Sequence, residues 1–367
     1  MNKLLLLLVL PLTLQAQKNY PTLLDSVMQT EVSVNHFNGN VLVAKQGNVI
    51  YQKAFGYRNY DTKELLDNNS VFELASLSKQ FTAVCILLLK DKGKLQLSDS
   101  LRKFFPELPY SNITIKQLLT HTAGLPEYES AMDSMWNHKK IAFNNDVIKF
   151  LAEKKIPVDF KAGEKCEYSN TGYVMLASII EKVSGQSFKD YMQQNIFKPL
   201  GMEHSRVYNT RRSQHEIIPN YAYGFVYSDS LKKYLLPDSL PQYDFVIYLD
   251  GIVGDGIINS TTSDLLKWDR ALKNHTLLNE ATQNDMFSPH ALLDTISVNN
   301  PTNLFYGYGE FIGKDEFGDY TSHSGSWPGY RNYIIHYLEK DITIIILTNN
   351  ESDAKLITTK LTHIILN

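Results

Sequence analysis

The strand-forming segments of this chain lie at its two ends, separated by a long stretch that reads as helix. Near the start, Asn40–Ala44 and Val49–Lys53 carry strand signals. Gln46, Gly47 and Asn48 supply turn residues between them, which is the layout of a hairpin. Near the end, Tyr333–His336 and Thr343–Leu347 are apolar and β-branched. From about Val71 to Met202 the pattern is helical. Thr114 with Gln117 three residues on has the form of a capping box, and Gly185 falls where a helix C-cap is expected. Further helices are predicted over Tyr20–Asn35 and Ser352–Leu366. Strands at both ends with helices between predict an α+β fold: one antiparallel sheet built from both termini, flanked by helices, with a helical insertion packed against it. The α/β part would cover about 18–70 and 255–367, and the helix-rich part about 71–254.

Composition fits a globular chain with a sizeable core. Of 367 residues, 43% are apolar and 20% charged, and the net charge of -3 gives no basic surplus for nucleic acid. Lys3, the apolar run Leu4–Leu10 and the small Ala16 make Met1–Gln17 a secretory signal in form, too short to span a bilayer. The remainder is predicted to be exported, periplasmic or secreted. No later stretch approaches the ~20 apolar residues of a membrane helix, so no stable membrane insertion is expected. Cys85 and Cys166 are too few for a disulfide framework and are read as free, buried thiols. No metal-ligand spacing, Walker-type loop or Gly-x-Ser-x-Gly elbow occurs, so no metal and no cofactor is expected.

Three short motifs carry the chemistry that remains. In Ser76-Leu77-Ser78-Lys79 the Ser76 hydroxyl and the Lys79 amine share a helix face. A buried amine can take a hydroxyl proton or help another group do so. Ser-x-x-Lys also begins at Ser100, Ser230 and Ser352, but only Ser76 opens a long apolar run (Phe81, Val84, Leu87, Leu88). The start of a core helix also favours developing oxyanion charge. Tyr168-Ser169-Asn170 is the second motif: a tyrosine beside an amine can act as acid or base, and an asparagine can orient substrate or lysine. The third is His323-Ser324-Gly325-Ser326, just before the late strands, where Gly325 would let a substrate backbone approach.

The set, in this order, resembles the serine β-lactamase and penicillin-binding protein superfamily, most closely its class C branch. His121-Thr122-Ala123-Gly124-Leu125, the segment Gly254–Ser260 with Asp264, Leu265 and Trp268, and Leu347-Thr348-Asn349-Asn350 add to the resemblance and are read as scaffold. What the resemblance implies is an acyl-enzyme hydrolase without cofactor, acting on a small-molecule or peptide substrate. Ser76 would be acylated, Lys79 and Tyr168 would handle the proton, and Asn170 would hold Lys79 or a substrate amide. The backbone N–H groups of Ser76 and Ser326 would form an oxyanion hole. His323 stands where β-lactamases carry a lysine, which disfavours a dedicated β-lactamase, since a neutral imidazole anchors no carboxylate. Arg331, six residues after Gly325, is the alternative anchor. The expected substrates are therefore amides, peptides or esters, in the manner of a D-Ala-D-Ala carboxypeptidase, D-amino peptidase or esterase, with β-lactam hydrolysis or slow penicillin binding as the alternative. Seven tyrosines and two phenylalanines between Tyr208 and Tyr248 are either a wall of the substrate cleft or ordinary loop packing.

Overall fold

A computed structural model describes residues 19–207, 218–296 and 302–367. The expected leader, Met1–Gln17, and Tyr208 lie outside the described residues. Helix α1 (Tyr20–Asn35) opens with Asn19 accepting a hydrogen bond from the Thr22 N–H. Strands β1 (Gly39–Lys45) and β2 (Asn48–Phe55) then form the expected hairpin. Its two loop residues, Gln46 and Gly47, have φ of 51° and 77°, the left-handed pair that matches a tight turn to the twist of its strands.

Six later strands complete the main sheet: β3 (Ala291–Ile296), β4 (Thr302–Tyr306), β5 (Phe311–Asp315), β6 (Gly318–Trp327), β7 (Tyr330–Tyr337) and β8 (Ile342–Thr348). The spatial order is β3-β4-β5-β6-β7-β8-β1-β2, antiparallel throughout. The two chain ends meet where β1 pairs with β8, with Val41 opposite Ile346 and Val43 opposite Ile344.

Alternation along these strands sorts their side chains into two cores. Val41, Val43, Tyr333, Ile335, Ile344 and Ile346 face one side, packed with Leu24 and Met28 of α1 and with the last helix (Ala354–Leu366). Leu42, Ala44, Ile334, Ile345 and Leu347 face the other side, in the larger core. Three helices dominate that side: α2 (Lys79–Asp91), α3 (Asn170–Ser184) and α4 (Thr262–Lys273). Nearly all of α2 is buried, so it presents no broad solvent face, and its polar residues Lys79, Gln80 and Thr82 lie inside the protein. A small sheet of Phe72–Glu73, Ile258–Ser260 and Arg206–Val207 pins the entrance of α2 to a segment far along the chain. The Thr114–Gln117 capping box forms, and Gly185 caps α3 at φ 72°. Both cysteines are free, with Cys85 buried and Cys166 only half-buried. Among the described residues, no helix is long and apolar enough to cross a membrane.

Burial on both faces makes β8 sensitive to truncation. Ile345→Ala should cost about 2–5 kcal/mol, read from the denaturant midpoint, because Ile345 is fully buried. Val34→Ala on exposed α1 should change the midpoint little. Equal effects would contradict the two-core arrangement.

Candidate active site

The site forms where α2, α3, β6 and the loop Gly254–Ile257 converge. Ser76 sits in a short turn, Ala75–Ser78, that runs directly into α2. It is half-buried, while its neighbours from Val71 to Ala75 and from Leu77 to Ala83 are buried. Ala75 enters the turn at φ 50°, a left-handed conformation that costs a non-glycine residue about 1–2 kcal/mol. Three distant groups hold the turn in place. Leu74 N–H donates to the Ile258 carbonyl at 2.8 Å, Asn332 Nδ2 donates to the Glu73 carbonyl at 2.8 Å, and Ser78 Oγ accepts from Ile258 N–H at 3.1 Å.

Lys79 is fully buried and its ammonium is surrounded by oxygen. Nζ lies 3.1 Å from Ser76 Oγ, 2.7 Å from Asn170 Oδ1 and 2.8 Å from the Asp255 carbonyl. Two of these partners, the amide and the backbone carbonyl, can only accept, so they use two N–H bonds. The third direction points at the Ser76 hydroxyl and suits either an N–H or a lone pair. Deprotonating the hydroxyl toward this amine therefore requires no rearrangement. The Lys79 Nζ also lies 4.9 Å from the centre of the Tyr168 ring, within cation–π range. Asn170, the first residue of α3, has its amide oriented by its partners: Nδ2 donates to Glu129 Oε1 at 3.1 Å, which turns the carbonyl to Lys79.

Residues outside the three motifs complete this arrangement. Glu127 accepts from Ser169 Oγ and from the N–H groups of Asn170 and Thr171, a carboxylate placed at the positive end of α3. Asp255 accepts from Tyr128 Oη at 2.8 Å. Burial raises the carboxyls of Glu127 and Asp255. Glu129 is raised to about 7, chiefly by burial and then by the charges of Asp255 and Glu127. The Gly254–Ser260 segment, read from sequence as scaffold, thus supplies a direct Lys79 partner. A faint trace was present in the sequence: two glutamates flank Tyr128 just past the Gly124–Leu125 turn, and one aspartate sits between two glycines.

His323 faces the same centre from β6, fully buried and 6.3 Å from the Tyr168 ring. Its Nδ1 is 2.6 Å from the Ser324 carbonyl and its Nε2 2.9 Å from Tyr306 Oη. A carbonyl only accepts, so Nδ1 carries the proton and Nε2 accepts from the tyrosine. Burial and the Lys79 charge push the imidazole down to about 3, so it is neutral over the working range of pH. His121 is likewise buried, accepts from Ser169 N–H at Nδ1, and is held neutral by burial and Lys79.

Two expectations about the third motif are corrected. The space left by Gly325 is not open to substrate: a Cβ there would lie 2.0 Å from the Leu74 carbonyl, so β6 packs directly on the Ser76 turn. Arg331 is not brought to the centre. It lies opposite Ser326, and alternation puts it on the β7 face of Tyr333 and Ile335, turned toward α1 and away from His323. Ser324 and Ser326 share that face and are exposed, although Ser326 also reaches the cleft rim.

A cleft of about 120 Å³ opens at Ser76, lined by Tyr128, Asn170, Ile257, Ser326 and Trp327 and by the carboxyls of Glu73, Glu129, Asp250 and Asp255. Among the described residues, no lysine, arginine or histidine lines it. Several described aromatics of the tyrosine-rich segment pack on Tyr60 or on one another: Tyr234 stacks on Tyr60 at 4.5 Å, Phe225 meets Tyr60 at 5.1 Å, and Tyr221 meets Tyr223 at 5.0 Å. Among the described residues of the segment, Tyr221 Oη donates to Glu73 Oε2 on the cleft wall at 3.4 Å, and Phe245 meets Trp327 edge-on at 5.3 Å. Among the described residues, no group of His, Cys, Asp or Glu is arranged to hold a metal ion.

A serine turn feeding a buried helix, a lysine on its next turn, and a sheet strand closing the far side define the fold of serine-acylating β-lactamases and penicillin-binding proteins. The sequence profile of the Beta-lactamase family matches residues 25–365, and the chain belongs to that family. It is 43% identical over 333 residues to penicillin-binding protein 4* of Bacillus subtilis (strain 168), covering 90% of this chain and 72% of that one. A penicillin binding protein from Bacillus halodurans superposes with a TM-score of 0.80 at 24% identity, over 93% of this chain and 98% of the other. D-amino acid amidase from Ochrobactrum anthropi SV3 superposes with a TM-score of 0.77 at 21% identity, over 95% and 98%.

Glu129 makes a pH signature. A carboxyl raised in the folded chain binds its proton more tightly there than in the unfolded chain. Its stabilising contribution is complete below the ordinary value and is lost as pH rises through about 7. Glu129→Gln should therefore gain in melting temperature relative to the parent between about pH 5 and about pH 8. A difference between the two proteins that does not change with pH would refute this assignment.

Proposed function

We propose that the protein is an exported serine hydrolase that acylates Ser76 with an amide or peptide substrate and then releases the acyl group to water. The observation that carries this reading is the Lys79 amine, fixed by Asn170 and Asp255 with its one remaining direction on Ser76 Oγ. In the proposed cycle the Ser76 hydroxyl attacks the carbonyl while its proton passes to Lys79 or Tyr168. The N–H groups of Ser76 and Ser326 receive the oxyanion, and Ser326 lies on the cleft with Ser76. Tyr168 returns the proton to the leaving group and activates the water of deacylation. Export is supported by the basic, apolar and small-residue order of Met1–Gln17.

Charge narrows the substrate. Among the described residues, a neutral His323, an Arg331 on the far face, and a cleft lined by Glu73, Glu129, Asp250 and Asp255 offer no anchor to a substrate carboxylate. β-Lactams and C-terminal D-Ala-D-Ala both carry one, so D-amino-peptidase-like or amidase action fits better. The amidase named among the fold neighbours supports the same choice.

Intact mass after treatment with a fluorophosphonate should show one adduct, absent from Ser76→Ala. Lys79→Met and Tyr168→Phe should each lower kcat/KM for a D-amino acid amide by about 10²–10⁴. An adduct retained by Ser76→Ala, or rapid nitrocefin turnover exceeding amide turnover, would overturn the reading.

A further inference from the structure

A second cavity, of about 290 Å³, lies between α4, the helix Glu280–Met286 and strands β6 and β7. Ser76 and the other groups of the catalytic cleft do not line it. Trp268, Leu272, Phe287, Ile334 and Leu338 form its apolar walls. Its polar lining contains one group in an unusual state. Glu310 is 3% exposed, and no hydrogen bond among the described residues reaches its carboxyl. A buried polar group with no partner is unfavourable, and more so if it is charged. Burial, with Asp269 nearby, holds this carboxyl well above the ordinary range, which favours its protonated form.

The other polar groups do not relieve it. Asp269 is saturated by His336 Nδ1, Arg270 and Thr343 Oγ1, at 2.8 Å each. Gln80 Oε1 accepts from Trp268 Nε1 at 2.8 Å. Gln283, 1% exposed, leaves its own Oε1 without a partner. The cavity thus pairs apolar walls with a neutral acid that has one O–H to give and one carbonyl to receive.

We propose that this cavity is a second ligand site, taking a small apolar molecule with a carboxamide head paired to the Glu310 carboxyl. The acid O–H donates to the amide carbonyl, and an amide N–H donates back to the acid carbonyl. No proton is transferred, and the apolar body fills the space beside Trp268 and Phe287. The position also links the site to catalysis. Gly309, next to Glu310, packs so closely on α2 that a Cβ would lie 3.0 Å from the Lys79 carbonyl, and Gln80 follows Lys79 directly. An occupant therefore braces the helix that carries the catalytic lysine.

Phenylacetamide serves as the probe. Crystals of the full-length protein soaked with it should show the probe in this cavity with its amide against Glu310. Solution titration followed by nuclear magnetic resonance should give binding that weakens at least tenfold in Glu310→Leu and is largely kept in Glu310→Gln, which retains a donor and an acceptor. A cavity holding only solvent after soaking, a probe found solely in the Ser76 cleft, or equal affinity for this cavity in Glu310→Leu would overturn the proposal. The soak of the unmodified protein decides the matter even if a variant fails to fold.

Discussion

The whole site depends on one buried ammonium. Lys79 has no access to water, and its hydration is replaced by three oxygens from three separate parts of the chain: the Ser76 turn, the start of α3 and the Gly254–Ile257 loop. A buried charge is tolerated only when paired and hydrogen-bonded. The surrounding acids Glu127, Glu129 and Asp255 supply the compensating field, and each is itself tied down, through α3 N–H groups, Asn170 or Tyr128. The Ser76 hydroxyl is thereby positioned by the requirements of its neighbour's charge.

That dependence explains what was legible in the sequence and what was not. Ser76, Lys79, Tyr168 and Asn170 sit in short local motifs on helix starts, so their spacing displays their shared geometry. Helix α1, the first hairpin, β7 and β8 were equally visible, because their apolar periods are local and strong. Strands β3 to β5 escaped, since strands toward the sheet edge carry residues such as Asn303, Gly313 and Lys314 in place of a continuous apolar run. Glu129 and Asp255 escaped for another reason. Their role arises only when the fold stacks three segments around one amine, and a lone acid in sequence looks like any solvated one. Arg331 misled in the opposite direction: it lies close to the third motif in sequence, but pleating puts it on the other face of the sheet.

The same electrostatics separates this site from one built to hold a carboxylate. His323 fills the place of a cation but is locked as a neutral tautomer by a carbonyl on one nitrogen and a tyrosine hydroxyl on the other. Glu73, Asp250 and Asp255 line the cleft, and among the described residues Lys79 is the cation hydrogen-bonded to Ser76.

The contact of Gly325 with the Leu74 carbonyl, together with the Asn332 bond to Glu73, has a consequence for the order of assembly. Both holds on the Ser76 turn come from strands near the C-terminal end, and β1 pairs with β8, the last strand made. A nascent chain lacking its final strands keeps the Ile258 bonds to Leu74 and Ser78 but lacks the Gly325 and Asn332 contacts on the turn. Such long-range closure folds slowly, because the connecting chain must be ordered before its contacts reward it. Full clamping of the Ser76 turn is thus a late event of folding, deferred until the sheet is complete.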